Sequence, residues 1–297
     1  MLTRYLTFAL VSSVLCGSSL AFAAACKPNG TDNFECTMTL ENSSGPVPTV
    51  NPHVSLDILG IKPGMSLTEV KRIMVAHYKS EPSENSSGQY GQSGEGASGY
   101  LVYKNVSMHT RPWVYELVNA NNSYGFDQTT VLFATPATGQ TVVTIRRIVQ
   151  FRTPGPTVKQ LLAALDKKYG PESIPGRRDK AGFITLNWVY GKDGKLEACK
   201  ENFCQCPGSA NLGYIQTTLD TIPTGANYDK SLANDEYECV SAQVNFSFND
   251  PVHATELDVV VNDPAEKVHT TKELYEQMHA AAVAEYKSEK PSKAPTL

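Results

Sequence analysis

The sequence lacks an excess of positive charge, and it lacks any long hydrophobic run after its first 25 residues. Its 26 lysines and arginines are outnumbered by 30 aspartates and glutamates, which gives a formal net charge of −4. Proteins that bind nucleic acid present a basic surface, so this balance argues against a nucleic-acid partner. A helix needs about 20 predominantly apolar residues to cross a bilayer, so we expect no transmembrane span.

The local motifs of several common enzyme classes are also missing. The chain contains neither an HExxH zinc-protease motif nor a Walker A lysine. Residues 94–99 match GxGxxG by letter, but they follow a serine-rich stretch and precede a strand candidate, whereas a phosphate-binding version opens a helix. The six histidines are scattered singly. The sequence therefore identifies no catalytic residue, no cofactor and no metal ligand.

The first 25 residues have the features of a secretory signal. Arg4 provides the positive start, residues 6–15 form an apolar core, and Ala23 and Ala25 fit a small-x-small cleavage site. Cleavage after Ala25 would leave Cys26 at the new terminus, which raises the alternative of a lipid anchor on this cysteine. A lipoprotein signal usually has Leu where this chain has Ala23, so a periplasmic or secreted protein without an anchor is the main interpretation.

Removal of that signal, which contains Cys16, would leave six cysteines. An even number in an oxidising compartment predicts disulfides. Cys26 and Cys36 are expected to close a small N-terminal loop. The other four would form two bridges of open connectivity: Cys199, Cys204, Cys206 and Cys239. A zinc site made by these four thiolates is the alternative, but C-x4-C-x-C followed by a long gap is not a usual zinc spacing.

The clearest structural signal is a capped amphipathic helix over residues 66–78. Ser66 is a good N-cap, and Glu69 three residues later completes a capping box. Apolar residues then recur at helical spacing and form one stripe: Leu67, Val70, Ile73 and Met74. A similar helix follows Thr157 in the second half of the chain and ends at Gly170.

Residues 59–74 also carry a resemblance to known families. The pattern Gly60-Ile61-x-x-Gly64-Met65-Ser66-x-x-Glu69-Val70 resembles the opening signature of BamE-like (SmpA/OmlA) outer-membrane lipoproteins. It is also similar to the repeat unit of the β-lactamase-inhibitory proteins. In both families short helices pack on a small antiparallel sheet, so the resemblance implies that fold and an exported bacterial protein.

Strand candidates follow each helix without crossover helices, which is typical of an antiparallel meander. They span residues 100–106, 113–118, 130–134 and 142–151 in the first half, and residues 184–190, 213–219, 239–248 and 256–261 in the second. The sequence therefore predicts an α+β fold made of two tandem units, each with one helix on a four-stranded antiparallel sheet, stabilised by disulfides. Trp113 and Trp188 lie within strand candidates and are expected in the core.

This prediction divides the chain into six segments. They are a signal peptide at 1–25, an N-terminal disulfide loop and linker at 26–52, a first unit at 53–152, a second unit with the cysteine loop at 153–265, a C-terminal helix at 266–286 and a disordered tail at 287–297.

The function that these features favour is non-enzymatic binding or inhibition in the bacterial cell envelope or periplasm, with another envelope protein as partner. The polar stretch 81–99 and the cysteine loop 199–211 are the predicted contact surfaces. Arg146 and Arg147 are expected to be solvated. The alternative is an envelope hydrolase whose site is assembled from distant loops. A pocket that holds two or more titratable groups with perturbed pKa values would indicate the hydrolase.

Overall fold

The structure, a computed structural model, describes residues 24–29, 33–46, 56–85, 100–122, 125–178, 182–191, 194–195 and 238–288. Its strands are β1 (Ala25–Pro28), β2 (Phe34–Met38), β3 (Ser83–Asn85), β4 (Tyr100–Tyr103), β5 (Val106–Thr110), β6 (Glu116–Asn121), β7 (Asp127–Phe133), β8 (Val142–Gln150), β9 (Ile174–Arg178), β10 (Phe183–Tyr190), β11 (Glu238–Ser247) and β12 (Asp250–Asn262). Its helices are α1 (Leu67–Tyr78), α2 (Val158–Tyr169) and α3 (Pro264–Ser288), with a short 3₁₀ turn at Pro136–Thr138.

The prediction of two tandem helix-on-four-strand units is wrong. The described strands form a four-stranded sheet, in the order β1-β2-β5-β4, and an eight-stranded sheet, in the order β3-β6-β7-β8-β12-β11-β10-β9. The large sheet is antiparallel throughout, and its central pair, β8 and β12, joins strands from both predicted units. Strand pairing is decided by contacts between distant segments, so the order of the elements did not reveal it.

The small sheet arises partly from a turn that the sequence pattern does not reveal. The predicted strand 100–106 is in fact the hairpin β4–β5, whose two-residue turn is Lys104-Asn105. Lys104 has a φ of 54°, in the left-handed region that glycine or asparagine usually occupies. Because a lysine carries no turn signal, the segment read as one continuous strand. β2 then adds to β5 in parallel.

Several other local predictions agree with the structure. The side chain of Ser66 accepts from the backbone N–H of Glu69, and the Glu69 carboxylate accepts from Ser66, so the capping box of α1 is confirmed. Thr157 and Gln160 make the same arrangement at α2. The strand predicted at 213–219 lies outside the described residues.

Two hydrophobic cores lie on opposite faces of the large sheet. The first fills the space between this sheet and the helices α1 and α2, and Trp188 is fully buried in it. The second contains Trp113 and lies between the small sheet, α3 and the other face of the large sheet. Because α3 contacts β4 and β5 as well as β8 and β11, it holds the two sheets together. Both tryptophan predictions are confirmed.

The N-terminus of α3 is a buried polar junction. Asp263 accepts from the backbone N–H of Glu266 at 3.0 Å and Pro264 follows it, which is a favourable start for a helix. Burial raises the pKa of Asp263 from its ordinary 3.8 to about 6, although the backbone hydrogen bonds oppose this shift. The Glu266 carboxylate, also buried, accepts from the hydroxyl of Thr138 at 2.6 Å.

We predict that this junction makes folding stability depend on pH. A carboxyl whose pKa is raised by folding stabilises the native state at low pH, and that contribution is lost as the pH rises through about 6. Relative to Asp263→Asn, which keeps the cap, the wild type should lose about 2 kcal/mol of unfolding free energy between pH 4 and pH 7. Urea unfolding of both proteins at the two pH values measures this difference. A difference that does not change with pH would contradict the prediction.

Candidate binding cleft

A cleft of about 350 Å³ opens at one end of the large sheet, where β7 begins and β8 ends. The described residues at the two ends of the β6–β7 connection form one wall, and the connection from β8 to α2 forms the other. The lining consists of Asn121, Gly125, Phe126, Asp127, Val149, Gln150, Phe151, Arg152, Pro154, Gly155 and Pro156. Asp127 and Val149 are paired across β7 and β8, so the floor of the cleft is the sheet itself.

Backbone packing fixes both walls against the sheet. Gly125 has a φ of 122°, and a Cβ at this position would collide with the carbonyl oxygen of Gln150. A Cβ on Gly155 would collide in the same way with the carbonyl oxygen of Ala254. Glycine is therefore required where each wall meets a strand.

Backbone hydrogen bonds hold these walls as well. The Gln150 N–H donates to the Phe126 carbonyl at 2.7 Å, and the Ala254 N–H donates to the Pro156 carbonyl at 2.9 Å. Both bonds connect a wall loop to a strand of the large sheet. The cleft is therefore formed before any ligand arrives, and little conformational entropy remains to be lost on binding.

An ion-pair cluster lies at the floor of the cleft. Arg147 donates to Asp127 through two parallel hydrogen bonds, from Nε at 2.9 Å and from Nη2 at 2.7 Å. The C-terminal turn of α1 adds two side chains, with the Tyr78 hydroxyl 3.2 Å and the His77 Nε2 3.5 Å from carboxylate oxygens of Asp127. The Tyr78 oxygen also lies 2.6 Å from the Thr129 hydroxyl. The cluster thus connects α1 to β7 and β8.

Asp127, Arg147 and Tyr78 have fixed charge states in this cluster. Burial opposes the ionisation of Asp127, but the hydrogen bonds and charge of Arg147 outweigh it and keep the pKa of this carboxyl below its ordinary value. Burial also opposes the charge of Arg147, and Asp127 outweighs that effect and raises the pKa of the guanidinium. Burial raises the pKa of Tyr78 to about 12. These three groups therefore do not exchange protons near neutral pH.

The expectation that Arg146 and Arg147 are solvated is wrong. They point to opposite faces of β8, and each makes a two-bond ion pair, Arg147 with Asp127 and Arg146 with Asp258 at 3.0 and 2.7 Å. A charged pair inside an otherwise apolar strand was the signal available in the sequence. It indicated that each arginine needs a partner, but it did not identify which carboxylate that partner is.

The cysteines are placed only in part. Cys26 and Cys36 form the predicted disulfide between directly opposed residues of β1 and β2. Their sulfurs lie close to a Glu285 carboxylate, but sulfurs in a disulfide are not thiolate ligands for a metal. Cys239 is disulfide-bonded as well. A zinc site that uses all four thiolates is therefore excluded, and the connectivity of Cys199, Cys204 and Cys206, which lie outside the described residues, stays open.

The predicted contact loops lie largely beyond the part of the chain that the structure describes. Of residues 81–99, only 81–85 are described, and β3 in this segment pairs with β6 at the edge of the large sheet. The cysteine loop 199–211 is entirely outside the described residues. No sequence pattern singles out the cleft residues, because they come from two loops that are close only in the folded chain.

No protein family, no curated protein and no solved structure matches this chain. Among the described helices, none is both long enough and apolar enough to cross a membrane.

We predict that Asp127 and Arg147 stabilise the fold as a pair. Both side chains are about three-quarters buried, so removing either one leaves the other charge poorly solvated. Asp127→Ala and Arg147→Ala should each cost about 2 kcal/mol of unfolding free energy, and the double variant should cost about 1 kcal/mol less than their sum. Urea unfolding of all four proteins measures this coupling.

The exposed pair Lys272–Glu276 on α3, whose atoms are 3.8 Å apart, is the matched control and should show a coupling near zero. Folding lowers the pKa of Asp127 below its ordinary value of 3.8. The contribution of this carboxylate to the free energy of unfolding is therefore present above pH 3.8 and is lost as the pH falls below that value. Equal coupling for the two pairs would contradict the prediction.

Proposed function

We propose that the protein is an exported binding protein of the bacterial cell envelope, which holds part of a partner in the cleft without changing it chemically. The observation that carries this proposal is the cleft itself. Its walls are preformed and carry several apolar side chains, and a few polar groups lie at its floor and rim. This composition is typical of sites that bind a ligand by shape and burial.

The state of the titratable groups favours binding over hydrolysis. A general acid or base works best when its pKa lies near the operating pH. The pKa of Asp127 is lowered, and those of Tyr78 and Arg147 are raised, so each of the three keeps one protonation state at neutral pH.

His77 beside Asp127 is the observation that favours the alternative, an envelope hydrolase. A histidine oriented by an aspartate is the usual base for a nucleophilic serine or cysteine. The lining described for the cleft, however, contains no serine, threonine or cysteine. His77 Nε2 also lies 3.5 Å from the carboxylate, which is a long contact. Binding therefore remains the better explanation.

Export is supported by the disulfide and by the signal-like N-terminus. A bond between Cys26 and Cys36 persists in an oxidising compartment such as the periplasm. A sulfur in this bond is not available for a thioether-linked lipid, which favours a protein without a lipid anchor on Cys26. The partner that best fits this location is another envelope protein.

The test is a binding screen on the full exported protein with its disulfides intact. Single-ring aromatic, aliphatic and sugar probes are titrated while backbone amides are followed by NMR. We expect aromatic or aliphatic probes to shift the amides of Gly125, Phe126 and Gln150, and to be recovered unchanged. Phe126→Ala should weaken binding about tenfold, because it removes a large apolar contact.

Phe248→Ala is the matched control, because this phenylalanine is 71% exposed on the β11–β12 hairpin and is not among the lining residues of the cleft. It should leave binding unchanged. Probes that shift no cleft amide would overturn the proposal. Conversion of a probe to a product, abolished by Asp127→Asn, would establish the hydrolase instead. Cell fractionation completes the test, and a cytoplasmic protein would contradict the assignment to the envelope.

A further inference from the structure

We infer that the cleft selects a single aromatic ring that carries a carboxylate. This inference rests on the proposed function, since it names the ligand class of the same site. Three properties of the lining lead to it, namely its size, its ring-shaped side chains and its charge.

The size of the cleft limits the ligand to about one ring and its substituent. Pockets for drug-sized molecules range from about 300 to 1,000 Å³, and this cleft of about 350 Å³ is at the lower end. Because both walls are held by glycine contacts and backbone hydrogen bonds, the cleft cannot widen easily to take a larger molecule. Several residues of an extended peptide would therefore not fit inside it.

The apolar part of the lining is composed mostly of rings. Phe126, Phe151, Pro154 and Pro156 surround the cleft, with Val149 at its floor. The flat rings of the two phenylalanines contact a planar ligand over a larger area than a branched one, and aromatic pairs add favourable edge and face contacts.

Among the lining side chains, Phe126 is the strongest indication of a ligand. It is half-buried, yet it belongs to neither hydrophobic core, whereas Phe151 packs against the first core. The contribution of Phe126 to core packing is therefore small, and its ring surface is available to the cleft.

The charge of the lining favours an anion. Asp127 is the carboxylate among the described lining residues, and its charge is already balanced by Arg147. Arg152, on the opposite wall, brings a guanidinium to the lining, although it also interacts within the chain. A guanidinium has five N–H donors, so a partner within the chain does not exhaust its capacity. α2 begins at Val158, two residues after Pro156, and its dipole places a partial positive charge near the same wall.

Two sources provide this chemistry. One is a free aromatic acid, and the other is an aromatic residue at the C-terminus of a polypeptide, which carries a ring and a carboxylate together. Phenylacetate represents the first source, and N-acetylphenylalanine represents the second. Phenylacetamide and N-acetylphenylalaninamide are their neutral counterparts, with nearly the same shape.

The experiment titrates these four probes, together with cyclohexylacetate, into the full exported protein and follows cleft amides by NMR. Probes this small should bind in the millimolar range. Each acid should bind about threefold or more tightly than its amide, because a charge-assisted contact is added at a partly exposed site. Arg152→Gln should remove this preference, while Phe126→Ala should weaken acids and amides alike.

Arg111→Gln, at an exposed arginine after β5, is the control for loss of charge, and Phe248→Ala is the control for loss of a phenylalanine. Both should bind all probes as the wild type does. If N-acetylphenylalanine binds more tightly than phenylacetate, the source is a polypeptide C-terminus. If phenylacetate binds more tightly, the source is a free aromatic acid.

Three results would overturn the inference. If acids and amides bind equally, the cleft does not select a carboxylate. If cyclohexylacetate and phenylacetate bind equally, the cleft does not select an aromatic ring. The proposed binding function would stand in both cases. If none of the five probes moved a cleft amide, the ligand class would be wrong. The proposed function would then depend on the aliphatic and sugar probes of the wider screen.

Discussion

The pairing of β8 with β12 is the constraint on which the rest of the structure depends. These strands are aligned from Thr144 opposite Asn262 to Gln150 opposite Glu256, and they lie at the centre of the eight-stranded sheet. The pairing joins distant parts of the chain into one sheet. It also determines where α2 and α3 begin, since each follows one of the two strands. α2 then packs on one face of the sheet, and α3 packs on the other.

The ends of the same central strands create the cleft. β8 ends beside the start of β7, so the loops that leave these strands stand next to each other as two walls. Gly125 and Gly155 allow each loop to approach a strand backbone more closely than any side chain would permit. The site therefore uses the rigidity of the sheet.

The two arginines of β8 show how a central strand accommodates charge on both faces. Arg147 pairs with Asp127 beneath the cleft, and Arg146 pairs with Asp258 on the opposite face. Each guanidinium is matched by a carboxylate in a two-bond geometry that restricts its orientation. Asp127 of the pair beneath the cleft also contacts His77 and Tyr78 of α1. The first helix is thereby tied to the strands that form the binding site.

The sequence by itself determined the local features of this protein. The caps at Ser66 and Thr157, most of the strand positions and the bond between Cys26 and Cys36 depend on residues close together along the chain, so their patterns were readable. Only the tertiary structure decided which strands pair, because a strand can bond with any other strand of suitable pattern. The placement of Phe126 and Phe151 around one cleft was also decided there. These features result from contacts between distant residues, which no local pattern records.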